Sequence, residues 1–113
     1  MSVTTEQRDQ WAALTDRLSA EHAGSEVTIE LLDADGADSS LVEHRPFAGI
    51  TYDSRDDVLV VAVGGGSPEE PVALRHLVRA PQEVLSDTLP RGTALKITDV
   101  SGTTTLVSLL RPA

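Results

Sequence analysis

The chain has 113 residues, of which 40% are hydrophobic and 24% charged, a composition typical of one globular domain spanning residues 1–113. It contains no cysteine, which excludes thiol catalysis, disulfides and thiolate metal sites. The formal net charge of −9 repels phosphate, so neither nucleic acid nor an anionic membrane is an expected partner.

The N-terminal segment carries the one strong helix signal, over about residues 6–23. Thr4 and Gln7 have the spacing of a capping box, which marks the start of a helix. Gly24 is expected to end the helix in a left-handed conformation. Between these ends an apolar stripe recurs at helical spacing: Trp11, Leu14 and Leu18.

After residue 24 the apolar period changes from that of a helix to that of a strand, which predicts strands between about residues 26 and 110. The clearest pair is the last one, a hairpin around Val100, Ser101 and a left-handed Gly102. Residues 33–40, 64–71 and 87–92 have loop composition. The predicted strands are 27–31, 41–45 (ending at Pro46), 48–53, 58–63, 72–79, 83–86, 93–99 and 103–110.

These elements predict an α+β fold, in which the N-terminal helix packs on a curved antiparallel sheet of about six to eight short strands. A small, partly closed barrel is an alternative form of the same sheet. Residues 1–10 have no apolar run of the kind found in secretory signals, and no segment reaches the length of a membrane span. A cytoplasmic protein is therefore the expectation.

Four segments resemble a family of short bacterial and archaeal proteins that is known only as a domain of unknown function. They are the helix and strand over 11–31, the block over 47–53 with the acidic turn and apolar strand behind it, residues 80–84, and the closing hairpin over 97–107. The resemblance extends from Arg8 to Pro112 and implies the same fold. It brings no activity, cofactor or catalytic residue.

Three groups of side chains could in principle form metal or phosphate sites. Asp33, Asp35 and Asp38 alternate around Gly36, but an acidic turn that bonds its own backbone explains them better than a calcium loop. The three histidines, His22, His44 and His76, lack the short spacing of a zinc-ligand pair. The glycines of residues 64–66 lead into an acidic, proline-containing loop, whereas phosphate-binding loops lead into a helix. We therefore expect no metal and no cofactor.

The densest basic group is Arg75, His76 and Arg79, which is a candidate contact for an anion or an acidic partner. Arg75 and Arg79 fall on the same face of a strand because their spacing is even. No arrangement of a nucleophile and a base is apparent, so a catalytic role is the less favoured reading. The sequence favours a non-catalytic binding or interaction module with an unknown protein partner or a second copy of itself. The alternative is a small-molecule-binding protein or enzyme with a pocket between helix and sheet.

Overall fold

The computed structural model describes residues 2–112 and begins with helix α1, Thr5–Glu21. The predicted capping box is confirmed: the Thr4 hydroxyl accepts the Gln7 N–H at 3.1 Å, and the Gln7 side chain accepts the Thr4 N–H at 2.9 Å. The helix ends at Glu21, two residues before the predicted end, and Gly24 follows with a φ of +87°. Local capping signals therefore define both ends of α1.

Seven strands form one sheet, in which every pair of neighbours is antiparallel and the order is β4-β3-β2-β1-β7-β6-β5. The predicted α+β class is confirmed. The strands are β1 (Glu26–Leu32), β2 (Asp38–Asp53), β3 (Val58–Val63), β4 (Leu74–Arg79), β5 (Pro81–Leu89), β6 (Gly92–Asp99) and β7 (Thr104–Leu110).

Strand β2 is a single bent strand of 16 residues, so the predicted division at Pro46 is wrong. Its first half pairs with β1 as far as Pro46, and its second half pairs with β3 from Phe47 onward. Pro46 lies at this change of neighbour, where its missing N–H interrupts neither ladder. His44 and Gly49, which have φ values of 49° and 149°, bend the strand on either side.

Strand β5 covers nine residues, so the predicted loop over 87–92 is also wrong. The structure has only a two-residue turn, Pro90 and Arg91, between β5 and β6. Ser86, Asp87 and Thr88 have the composition of a loop, but they belong to the outermost strand of the sheet and are exposed. Pro81 is the first residue of β5, a position that proline tolerates.

The sheet is not closed into a barrel, and the barrel alternative is wrong. Six antiparallel steps separate the two outer strands, β4 and β5, so these strands run in the same direction through the sheet. Only Ala80 connects them, whereas a parallel pair needs a crossover of a dozen or more residues. Ala80 instead forms a corner, with a φ of 52° and backbone bonds to Asp57 and Val100.

The core lies between α1 and the concave face of the sheet, and α1 packs mainly against β2. Trp11 is buried and meets the ring of Tyr52 edge to face, with centroids 5.4 Å apart. The final hairpin has the predicted three-residue loop, and the apolar residues of its two strands, Leu95, Ile97, Val107 and Leu109, are all buried. Gly102 has the expected positive φ, +88°.

Strand β1 pairs only with the first half of β2, and helix α1 covers the second half on the side that β1 leaves free. The Ser19 hydroxyl accepts the Ile50 N–H at 2.9 Å and donates to the Ile50 carbonyl oxygen at 2.6 Å. At the same, C-terminal end of the helix, the imidazole of His22 lies 3.0 Å from the hydroxyl of Thr93 at the start of β6. These contacts hold α1 across the open side of the sheet.

Candidate interaction site at the free sheet edges

Strands β4 and β5 are the two edges of the sheet, and alternate residues of each direct their backbone N–H and C=O away from it. The Asp99 N–H donates to the Thr103 carbonyl oxygen at the end of the β6–β7 pair. The backbone N–H and C=O groups of odd-numbered β6 residues are therefore directed to β7, and those of even-numbered residues to β5. Because Lys96 pairs with Leu85, the odd-numbered residues of β5 bond β6. The outward-facing residues of the β5 edge are therefore Val84, Ser86 and Thr88.

A groove of about 560 Å³ separates the β5 edge from the first half of α1. Residues 82–85 form one wall, and Val3, Gln7, Gln10 and Trp11 contribute to the other. Within residues 2–112, no hydrogen bond joins the outward backbone groups of the β5 edge to this helix. The groove therefore places unpaired strand backbone beside a wall of neutral amide and apolar side chains.

Strand β4 carries the predicted basic group but divides it between two faces. Arg75 and Arg79 are exposed on the outer face of the sheet with Leu77 between them. His76 lies on the opposite face, opposite Val61, where burial lowers the pKa of its imidazole. The structure therefore brings the two arginines to one face and separates His76 from them.

The acidic loop and the histidines have their own bonding partners. One carboxylate oxygen of Asp33 accepts the N–H groups of Asp35 and Ala37, both at 2.9 Å, which is the self-bonding acidic turn. His22 lies between Ser25 and Thr93, and His44 lies 3.5 Å from Glu26. Over residues 2–112, no three metal-ligating side chains are grouped closely enough to hold an ion.

One polar cluster that the sequence analysis did not identify lies at the corner near Ala80. The Tyr52 hydroxyl donates to Asp57 at 2.6 Å, and Arg8 approaches the same carboxylate at 3.6 Å. Burial, and then the hydrogen bond to Asp57, raise the pKa of Tyr52 to about 12. Tyr52 is thus a neutral hydrogen-bond donor near neutral pH, and the cluster joins α1 to the β2–β3 turn.

The β5 groove was likewise missed by sequence reasoning. The amide side chains of Gln7, Gln10 and Gln82 come from distant parts of the chain and match no short motif. The only sequence signal for the edge is the acidic, apolar, acidic order at every second residue, Glu83, Leu85 and Asp87. That signal required β5 to be recognised as a long edge strand.

Comparisons with known proteins identify a family and a relative of this chain. Residues 3–113 match the model of a family of unknown function (DUF5335). An uncharacterized protein of Aquifex aeolicus (strain VF5) is 28% identical over 97 residues, which are 85% of this chain and 81% of that protein. No solved structure matches the chain. Among the described residues, no helix is long and apolar enough to cross a membrane. The resemblance inferred from the sequence is confirmed, and the chain belongs to the DUF5335 family of unknown function.

Proposed function

We propose that the protein is a non-catalytic interaction module, acting as one domain, which binds an extended segment of a protein partner along the free edge of β5. The observation that supports this most is the unpaired outward backbone of Val84, Ser86 and Thr88, of which Val84 lines an open groove. A strand that adds to a sheet edge gains main-chain hydrogen bonds, and a neighbouring groove gives its side chains specific contacts.

The chemistry of the groove favours this module over an enzyme. Among the described residues, Glu83 is the one charged side chain along the groove, and the other polar side chains of the groove are amides and hydroxyls. The two groups with shifted pKa values, Tyr52 and His76, do not line it. Its volume falls in the range of small-molecule pockets, which is the observation in favour of a bound small molecule.

We further propose a cytoplasmic location. Because the net charge is −9, we also propose that neither nucleic acid nor a membrane is a partner. Arg75 and Arg79, with His76 behind them, are proposed as a second contact for an acidic group of the partner. Fluorescence anisotropy with labelled DNA and RNA should show no binding at low salt. Micromolar binding that weakens steeply with added salt contradicts this assignment.

Affinity capture with edge-blocked variants tests the module. Proline at position 86 removes an outward N–H without breaking the ladder to β6, so Ser86→Pro blocks the β5 edge. The matched control is Leu77→Pro on the other edge strand, β4. The Ala80 N–H donates to Asp57, so even-numbered residues of β4 bond β3, and Leu77 directs its N–H outward as Ser86 does. Circular dichroism checks that both variants fold.

We expect a partner that is captured from native lysate by the wild type and by Leu77→Pro, and that is lost with Ser86→Pro. Direct titration of the purified partner then confirms the loss. Equal capture by Ser86→Pro contradicts docking on β5. If a small-molecule fraction of the lysate raises the melting temperature of the wild type and Ser86→Pro equally, the pocket alternative replaces the module.

A further inference from the structure

The side chains of β5 form a short alternating pattern on the outer face of the sheet. Glu83, Leu85 and Asp87 lie on this face, and all three are exposed, Leu85 at 51%. Val84, between the first two, lies on the other face and packs against the core. The edge that is free to pair therefore reads acidic, apolar, acidic at every second residue.

From this pattern, and resting on the proposed function, we infer that the β5 edge selects an extended partner segment with two basic residues four positions apart and an apolar residue midway between them. In a paired strand, residues on the same face lie directly opposite one another and interact. The basic residues then lie beside Glu83 and Asp87, and the apolar residue lies beside Leu85. The two partner residues that separate the apolar residue from the basic ones face the groove, on the same side as Val84.

The charges around the edge support a basic segment. Lys96 pairs with Leu85 on the inner neighbour β6, and the two carboxylates of Glu83 and Asp87 outnumber this one cation. Arg8 of α1 is directed to Asp57. The net charge of −9 adds a long-range attraction for a positively charged segment.

A second copy of this chain is the competing occupant. Its own β4 carries the matching pattern, with Arg75, Leu77 and Arg79 on one face of a free edge. Two molecules that each carry −9 repel one another, however, whereas a basic segment of another protein is attracted. The charges therefore favour a different protein, and self-association becomes an outcome of the test.

Two synthetic peptides test the inference. The first is the blocked nonapeptide Gly-Ser-Lys-Thr-Val-Val-Lys-Ser-Gly, and the second has Glu in place of both Lys. Trp11 lines the groove and is the only tryptophan of the chain, so its fluorescence reports binding of these optically silent peptides. We expect the Lys peptide to bind about tenfold more tightly than the Glu peptide, with a preference that weakens in salt.

Charge reversal distinguishes the local effect of the acidic pattern on β5 from the long-range effect of the net charge. Glu83→Lys with Asp87→Lys should reverse the preference between the two peptides. The matched control, Asp35→Lys with Glu69→Lys, changes two exposed loop residues by the same total charge and should leave the preference in its original direction. Ser86→Pro should abolish the binding of both peptides.

The outcomes distinguish this inference from the proposed function. If Ser86→Pro abolishes binding but charge reversal leaves the preference unchanged, the edge binds peptides and the basic pattern is wrong. If Ser86→Pro binds as the wild type does, the proposed docking on β5 is wrong as well. Absence of binding to either peptide at millimolar concentration overturns the inferred pattern. Oligomers in sedimentation velocity that disappear on charge reversal of β5 show that the occupant is a second copy, which also overturns it.

Discussion

Replacing Ser19 with alanine should destabilise the protein, because one hydroxyl serves both backbone groups of Ile50. That hydroxyl lies 2.6 Å from the Ile50 carbonyl oxygen and 2.9 Å from the Ile50 nitrogen, in a partly buried contact between α1 and β2. Leaving such groups without partners costs about 1–3 kcal/mol. The higher helix propensity of alanine returns about 0.5 kcal/mol. The expected net loss in the free energy of unfolding is about 1–2 kcal/mol.

For a domain of this size, that loss lowers the melting temperature by about 4–8 °C. Thermal and urea unfolding, followed by far-ultraviolet circular dichroism, measure it directly. Asp16→Ala is the matched control, because it gives a similar gain in propensity at an exposed position of the same helix. It should melt at or slightly above the wild-type temperature. If Ser19→Ala melts as Asp16→Ala does, the two bonds to Ile50 contribute nothing and α1 is not held to β2 by this residue.

Three further perturbations test the core, the last hairpin and the polar cluster. Trp11→Ala should cost about 3–5 kcal/mol of stability, since Trp11 is a buried core residue, and an unchanged urea midpoint contradicts that role. Gly102→Val should cost about 1–2 kcal/mol because the φ there is +88°, and wild-type melting refutes the turn. Tyr52 is the only tyrosine, so absorbance should show it ionising near pH 12 in the folded protein and near pH 10 in urea. Because the folded pKa is raised, the contribution of Tyr52 to stability is complete below pH 10 and is lost as the pH rises to 12. A folded-state midpoint at pH 10 contradicts both the burial of Tyr52 and its bond to Asp57.

Local signals were sufficient for the elements whose residues interact within a short stretch of chain. Thr4 and Gln7 predict the start of α1, and Gly102 predicts the turn of the last hairpin, because capping and turn chemistry depend on neighbouring residues. The same signals predict the α+β class and the resemblance to the family. They also group Arg75 with Arg79, since even spacing on a strand places side chains on one face.

Other features depended on which strands become neighbours. Pro46 resembles the end of a strand, and only the exchange of β1 for β3 as neighbour explains why β2 continues through it. Asp87 and Thr88 have loop composition because an edge strand exposes its side chains as a loop does. The single residue Ala80 between β4 and β5 prevents closure of the sheet, a consequence visible only once both strands are placed at its edges.

The candidate site likewise depends partly on a local sequence pattern and partly on which strands become neighbours. The acidic, apolar, acidic pattern of residues 83, 85 and 87 is present in the sequence. Its meaning depends on the outward direction of the backbone groups of Val84, Ser86 and Thr88. That direction follows from the register of β5 on β6, and the opposite wall of the groove comes from α1, more than 70 residues earlier in the chain. Periodicity along the chain identifies a strand and its faces, whereas pairing between distant segments decides which backbone groups remain free to bind a partner.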